Sequence, residues 1–110
     1  MKQYVIDELR PQDHQRLKAF LDQNLEAAKL AGVYWLPLDE RVCNDLQAHH
    51  TACRPHFLAL TLDPDHLACE LLVRSRSKLR CDCMGFATEA QRNWLIRYID
   101  ALFDHLGLVA

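Results

Sequence analysis

HFLALTLDPDHLACELLVR, residues 56–74, is the stretch that decides the fold of this 110-residue chain. Its first half alternates, so every second side chain lies on one face of a strand: His56, Leu58, Leu60 and Leu62. The turn sequence DPDH follows, and a second alternating run begins at Leu67. We therefore predict an antiparallel hairpin at the centre of a β-sheet.

Three helices are predicted around this hairpin. An apolar residue recurs every three or four positions over residues 12–31, which indicates one buried helical face. A second helix is predicted between Asp39, which can cap it, and Pro55, which ends it. The last helix opens on a capping box of Thr88 and Gln91 and carries the clearest apolar periodicity.

The remaining β-prone runs complete the predicted sheet. Residues 2–8 and 79–84 have strand patterns, whereas Pro37 makes residues 32–38 either a short edge strand or a buried connector. We predict one α+β domain over residues 1–110. It is an antiparallel β-meander of about four strands with two or three helices packed on one face.

The composition excludes several classes of protein. Three glycines are too few for a phosphate-cradling loop, and no run of about eighteen apolar residues predicts a membrane helix. The first eleven residues carry acids and lack an apolar core, so no signal peptide is expected. We predict a cytoplasmic protein whose five cysteines, an odd number, are reduced thiols.

Positive charge is concentrated in residues 74–80, which we call the basic segment. It holds four cations and no acid in a chain of net charge −2: Arg74, Arg76, Lys78 and Arg80. We predict a non-catalytic binding or regulatory module that contacts an acidic protein surface or a nucleic acid through this segment, joined by Arg92. Alternatively, the charges only protect a sheet edge from pairing with another chain.

Because successive side chains of a strand lie on opposite faces, the apolar positions set an expected register for the strands that flank the basic segment. A three-residue loop at residues 75–77 keeps the apolar side chains of both strands on one face. Cys69 then lies opposite Cys83, and Leu71 lies opposite Cys81. In this register the thiols face inward and the basic side chains face outward.

The inward thiols predict an alternative function, a zinc or iron site at Cys69, Cys81 and Cys83. The fourth ligand would come from one of three nearby residues: His56, His49 or Cys53. The other interpretation is that the cysteines pack as small hydrophobic side chains and that the protein has no cofactor. The C-x-C spacing of Cys81 and Cys83 is not typical of structural zinc pairs.

An enzyme that uses Cys83 or His49 is a further alternative, although the sequence has no GxSxG or HExxH motif. Apolar side chains at Phe57, Leu72 and Met84 point away from the predicted helices. We therefore predict a homodimer through a sheet edge or the outer sheet face.

Overall fold

The computed structural model describes residues 2–75, 81 and 83–108, and within them the chain forms seven strands and three α-helices. The strands are β1 (Gln3–Ile6), β2 (Glu26–Ala27), β3 (Val33–Pro37), β4 (His56–Leu62), β5 (Leu67–Glu70), β6 (Leu72–Ser75) and β7 (Gly85–Phe86). The helices are α1 (Pro11–Asn24), α2 (Asp45–His49) and α3 (Glu89–Leu106).

The predicted fold class is confirmed, because the sheet is antiparallel and its middle strands form a meander. Strands follow the order β1-β5-β4-β3-β2, and β6 pairs with both β4 and β7. The central hairpin pairs Leu60 with Cys69 across the turn. The sheet has more strands than predicted, since β2 was not expected and the run that begins at Leu67 divides into β5 and β6.

One face of the sheet carries the core. The four side chains predicted to share a face of β4 are all buried: His56, Leu58, Leu60 and Leu62. The three leucines belong to one packed cluster with Leu17 and Leu21 of α1 and with Leu95 and Ile99 of α3. Both long helices therefore cover the same sheet face, as predicted.

Helix α1 ends earlier than the predicted residue 31. The helix stops at Asn24, Leu25 adopts an extended conformation, and β2 pairs with β3. Leu25 still packs against the core, although it lies after the end of the helix. Gly32 does not end the helix but lies in the β2–β3 turn with φ +81°.

Residues 33–37 form an inner strand, because β3 pairs with β2 on one side and with β4 on the other. The second predicted helix divides into three short turns. Asp39 caps a 3₁₀ turn at Glu40–Val42, α2 follows, and a second 3₁₀ turn spans Thr51–Cys53. The break after α2 decides which side chains meet at the site described below.

The predicted register around the basic segment is wrong. Cys69 pairs with Tyr4 and Leu60 rather than with Cys83, and the strand that contains Val73 pairs with Gly85 of β7. The reason is that β5 lies between β1 and β4, so both of its edges are already paired. Residues 76–80 and 82 lie outside the described residues.

Helix α3 matches its prediction at both ends. Thr88 and Gln91 form the capping box, and Gly107 ends the helix in the left-handed conformation with φ +69°. No helix among the described residues combines the length and the apolar character needed to cross a lipid bilayer.

Candidate metal centre

Three thiols and one imidazole converge at one end of the sheet. We call them the thiol–imidazole cluster: His50, Cys53, Cys81 and Cys83. Each residue offers one donor atom, and the four donor atoms all lie within 4.8 Å of one another. Cys53 and Cys83 are buried, whereas His50 and Cys81 are partly exposed.

Two consecutive turns place His50 and Cys53 on the same side of the backbone. His50 ends α2, and its backbone N–H donates to Leu46 O and Gln47 O. The backbone N–H of Cys53 then donates to His50 O at 3.0 Å. The change from α-helix to 3₁₀ turn brings residues three apart together, so His50 and Cys53 form an H-x-x-C pair.

A second turn supplies the other two sulfur atoms. The backbone N–H of Met84 donates to Cys81 O at 3.0 Å, so Cys81, Cys83 and Met84 belong to a turn rather than to the predicted strand. In an extended strand, side chains two residues apart stand about 7 Å apart. The turn instead brings the sulfur atoms of Cys81 and Cys83 within 4.8 Å of each other.

The spacing of the donor atoms fits a small tetrahedral ion. The Cys53 and Cys81 sulfur atoms are 3.4 Å apart, and His50 Nδ1 lies 2.9 Å from Cys81 Sγ. Around zinc, bond lengths of about 2.3 Å to sulfur and about 2.0 Å to nitrogen separate the ligand atoms by about 3.5–3.8 Å. No separation in the cluster exceeds 4.8 Å, which is about 1 Å above those values.

Hydrogen bonds from buried glutamine side chains support the cluster. Gln47 Nε2 donates to Cys83 O at 3.0 Å, and Gln91 Nε2 donates to Gln47 Oε1 at 2.8 Å. Gln91 is the capping-box residue of α3, so the cluster is hydrogen-bonded to the start of the longest helix. Ser75 Oγ donates to Cys53 O at 2.6 Å and fixes the opposite side. Such supporting contacts hold metal ligands in position.

The two cysteines of the C-x-C pair differ in acidity. The backbone N–H of Cys83 lowers the pKa of Cys81 to about 6, and hydrogen bonds from the Cys83 and Cys53 thiols and His50 add to this effect. Burial raises the pKa of Cys83 to about 12, and the neighbouring sulfur atoms of Cys81 and Cys53 add to the shift. Without a cation, the cluster therefore holds a thiolate on Cys81 and a proton on Cys83.

The structure brings together only part of the predicted metal site. Cys81 and Cys83 belong to the cluster, but Cys69 lies in the core between β1 and β4, where burial raises its pKa to about 12. His49 points elsewhere, with Nδ1 2.7 Å from Asp45 O. His56 contacts the cluster from its edge, with Nε2 3.4 Å from Cys83 Sγ.

Sequence reasoning missed His50 because it assumed one continuous helix. In an unbroken helix, His49 and Cys53 lie four residues apart on the same face. The break after α2 selects His50 instead. The signal was the H-x-x-C spacing of His50 and Cys53, which resembles the short ligand pairs of structural zinc sites.

Two of the predicted partner-binding residues are within the described residues. Arg74 Nε donates to Glu70 Oε1 at 2.5 Å, so an acid on the preceding strand already pairs with this cation. Arg92 is exposed on α3 and lines a groove with Lys2 and Thr88. Arg76, Lys78 and Arg80 lie outside the described residues.

Comparisons with known protein families, with curated proteins and with solved structures found no match.

Proposed function

We propose that this protein is a zinc-binding domain whose ion is held by His50, Cys53, Cys81 and Cys83. The observation that supports this most strongly is the convergence of four donor atoms from two separate turns within 4.8 Å. Three sulfur donors and one imidazole form a Cys₃His set, which is a common structural zinc site. Thiolate ligands also favour zinc over magnesium or calcium, which prefer oxygen.

The proposed role of the ion is structural. Catalytic zinc sites usually keep one coordination position for water or substrate, whereas this cluster offers four protein ligands. The ion would join the turn after α2 to the turn before β7, which are far apart in the sequence. Since the two turns bracket β4, β5 and β6 in the chain, the ion would close a long loop.

Cobalt titration tests the proposed site. Co²⁺ replaces zinc in such sites, and the strength of its sulfur-to-metal charge-transfer band reports how many thiolates bind. We expect one Co²⁺ per reduced chain, displaced by zinc. Cys81→Ser should lose about a third of the band or fail to bind, whereas Cys69→Ser should match the wild type. An equal loss in both variants, or no tetrahedral cobalt spectrum, would contradict the proposal.

We propose a second function for the basic segment, which is contact with an anionic partner. Its support is the concentration of cations in residues 74–80 of an otherwise acidic chain. Because Arg74 pairs with Glu70, the proposal rests mainly on Arg76, Lys78 and Arg80. The segment also contains Ser75, which is bonded to Cys53, and Cys81 follows it in the chain, so the zinc site would anchor both of its ends.

A triple variant with Arg76, Lys78 and Arg80 changed to glutamine tests this second function. Its matched control changes three exposed cations elsewhere to glutamine: Arg16, Lys29 and Arg97. The probes are a short DNA duplex and polyglutamate, measured separately by fluorescence anisotropy at low salt. We expect the first variant to lose binding to one probe and the control to keep it. Equal binding by both variants, or no binding by the wild type, would refute it.

A reducing compartment such as the cytoplasm suits both functions. All five cysteines are free thiols, and three of them must stay reduced to bind an ion. The homodimer through a sheet edge or the outer face stays a prediction. Analytical ultracentrifugation of the zinc-loaded protein would test it.

A further inference from the structure

His56 lies beside the metal centre without belonging to its four ligands. It is the first residue of β4 and is 2% exposed on the core face of the sheet. Its Nε2 atom lies 3.4 Å from Cys83 Sγ. Its Nδ1 atom is buried and has no hydrogen-bond partner among the described residues.

The two nitrogen atoms of His56 decide the direction of the contact with Cys83. His56 is buried on the core face, and desolvation disfavours a charged imidazole, so the ring carries one proton. With that proton on Nδ1, a buried N–H would lack an acceptor among the described residues, and donors without an acceptor are rare in folded proteins. With the proton on Nε2, the N–H donates to Cys83 Sγ. The atom without a partner among the described residues is then the unprotonated Nδ1, which is an acceptor.

The second arrangement requires the sulfur atom to accept a hydrogen bond. A thiolate accepts far better than a neutral thiol, because the hydrogen bond is then charge-assisted. A Cys₃His zinc site gathers three thiolates around a divalent ion, so its net charge is about −1. A neutral donor aimed at one of these sulfur atoms stabilises that excess negative charge in a buried setting.

We propose that His56 is a positioning residue of the metal centre, which donates its Nε2–H to the metal-bound Cys83 thiolate. The inference rests on the proposed zinc site. The hydrogen bond holds the Cys83 sulfur atom in place and withdraws electron density from it. Residues that orient metal ligands in this way typically raise metal affinity by about 10–100-fold.

The cobalt-loaded protein gives a readout that separates this role from simple packing. Withdrawal of electron density from sulfur moves the sulfur-to-cobalt charge-transfer band to higher energy. We therefore expect His56→Leu to shift the band to lower energy and to weaken Co²⁺ and Zn²⁺ binding about 10–100-fold in chelator competition. His56→Gln places an amide N–H near the original Nε2 position and should restore the wild-type band.

Two further variants complete the experiment. His49→Leu removes an imidazole next to a ligand but outside the cluster, and it should leave both the band and the affinity unchanged. His56→Phe keeps a ring at the site, and it replaces His56→Leu if circular dichroism shows that the leucine variant does not fold.

Each outcome bears on a different claim. A wild-type protein without a tetrahedral cobalt spectrum would overturn the zinc site and the role of His56 together. If the wild type binds cobalt but His56→Leu leaves the band unmoved, even with weaker binding, the zinc site stands and the role of His56 is refuted.

Discussion

Cys81 and Cys83 lie two residues apart in the chain, and yet their environments are opposite. Cys81 is partly exposed and receives hydrogen bonds from its neighbours, which lower its pKa to about 6. Cys83 is 2% exposed, and burial raises its pKa to about 12. The reactivity of each thiol follows from these surroundings, because the thiolate is the nucleophile.

Alkylation of the metal-free protein should therefore be selective. At pH 7 we expect iodoacetamide to modify Cys81 at least about tenfold faster than Cys43, since Cys81 is largely thiolate. Cys43 is the matched comparison, because it is also partly exposed but burial raises its pKa. Peptide mass spectrometry gives both rates. Added zinc should protect Cys81 but not Cys43, and equal rates for the two thiols in the metal-free protein would refute the assigned environments.

Zinc affinity should rise with pH. Zinc in the proposed site would bind thiolates, whereas without the ion Cys83 keeps a proton, because burial raises its pKa to about 12. Binding therefore releases protons, and rising pH favours the bound form. We expect the apparent Kd to fall about tenfold per pH unit for each proton released. Chelator competition at several pH values measures this, and a pH-independent Kd would contradict it.

At the scale of elements, the sequence predicts long amphipathic segments better than broken ones. Helix α3 matched its prediction because its cap, its apolar repeat and its final glycine all act locally. The apolar repeat also predicted that α1 extends to residue 31, but residues 26–27 form β2, which pairs with β3 in the sheet. Tertiary pairing outweighed helix propensity there, and a single sequence does not display it.

The three short turns between β3 and β4 depend on a similar long-range contact. Gln47 of α2 is 2% exposed, and its side chain bonds to Cys83 and Gln91 from two other parts of the chain. The apolar periodicity within residues 39–55 does not predict these contacts, because Cys83 and Gln91 lie far away in the sequence. For this reason the sequence named Cys53 as one of several fourth ligands but did not select His50.

Gln47→Ala tests this element-scale link. The substitution leaves Cys83 O without its side-chain donor and removes one acceptor from Gln91. Unsatisfied buried groups of this kind cost about 1–3 kcal/mol, so we expect the free energy of unfolding to fall by that amount. Urea denaturation of the zinc-loaded protein measures it. Gln23→Ala, at an exposed position of α1, is the control, and an equal effect of the two changes would refute the link.

At the scale of the whole molecule, the alternating pattern of one segment predicted the centre of the architecture. Alternation in residues 56–74 predicted the central hairpin, and the buried face of β4 matches it. The same pattern did not reveal that β1 occupies the second edge of β5. That contact joins the first strand to the middle of the chain, and it is the reason that Cys69 lies in the core rather than in the thiol–imidazole cluster.

The proposed metal centre is therefore a product of the whole fold. Its ligands come from segments on either side of the central hairpin, and the hydrogen bonds of Gln47 and Gln91 tie them to α3. A bound ion that joins distant segments stabilises the folded state, because the unfolded chain offers no preformed site. Chelation should accordingly lower the melting temperature of the protein.

The most direct test of the central claim is the metal content of protein purified under reducing conditions without added metal. Elemental analysis should find about one zinc ion per chain in the wild type and in Cys69→Ala, because a structural site holds its ion tightly. The double variant Cys81→Ala and Cys83→Ala should contain almost none. Less than about a tenth of an equivalent in the wild type, or full zinc content in the double variant, would contradict the assignment.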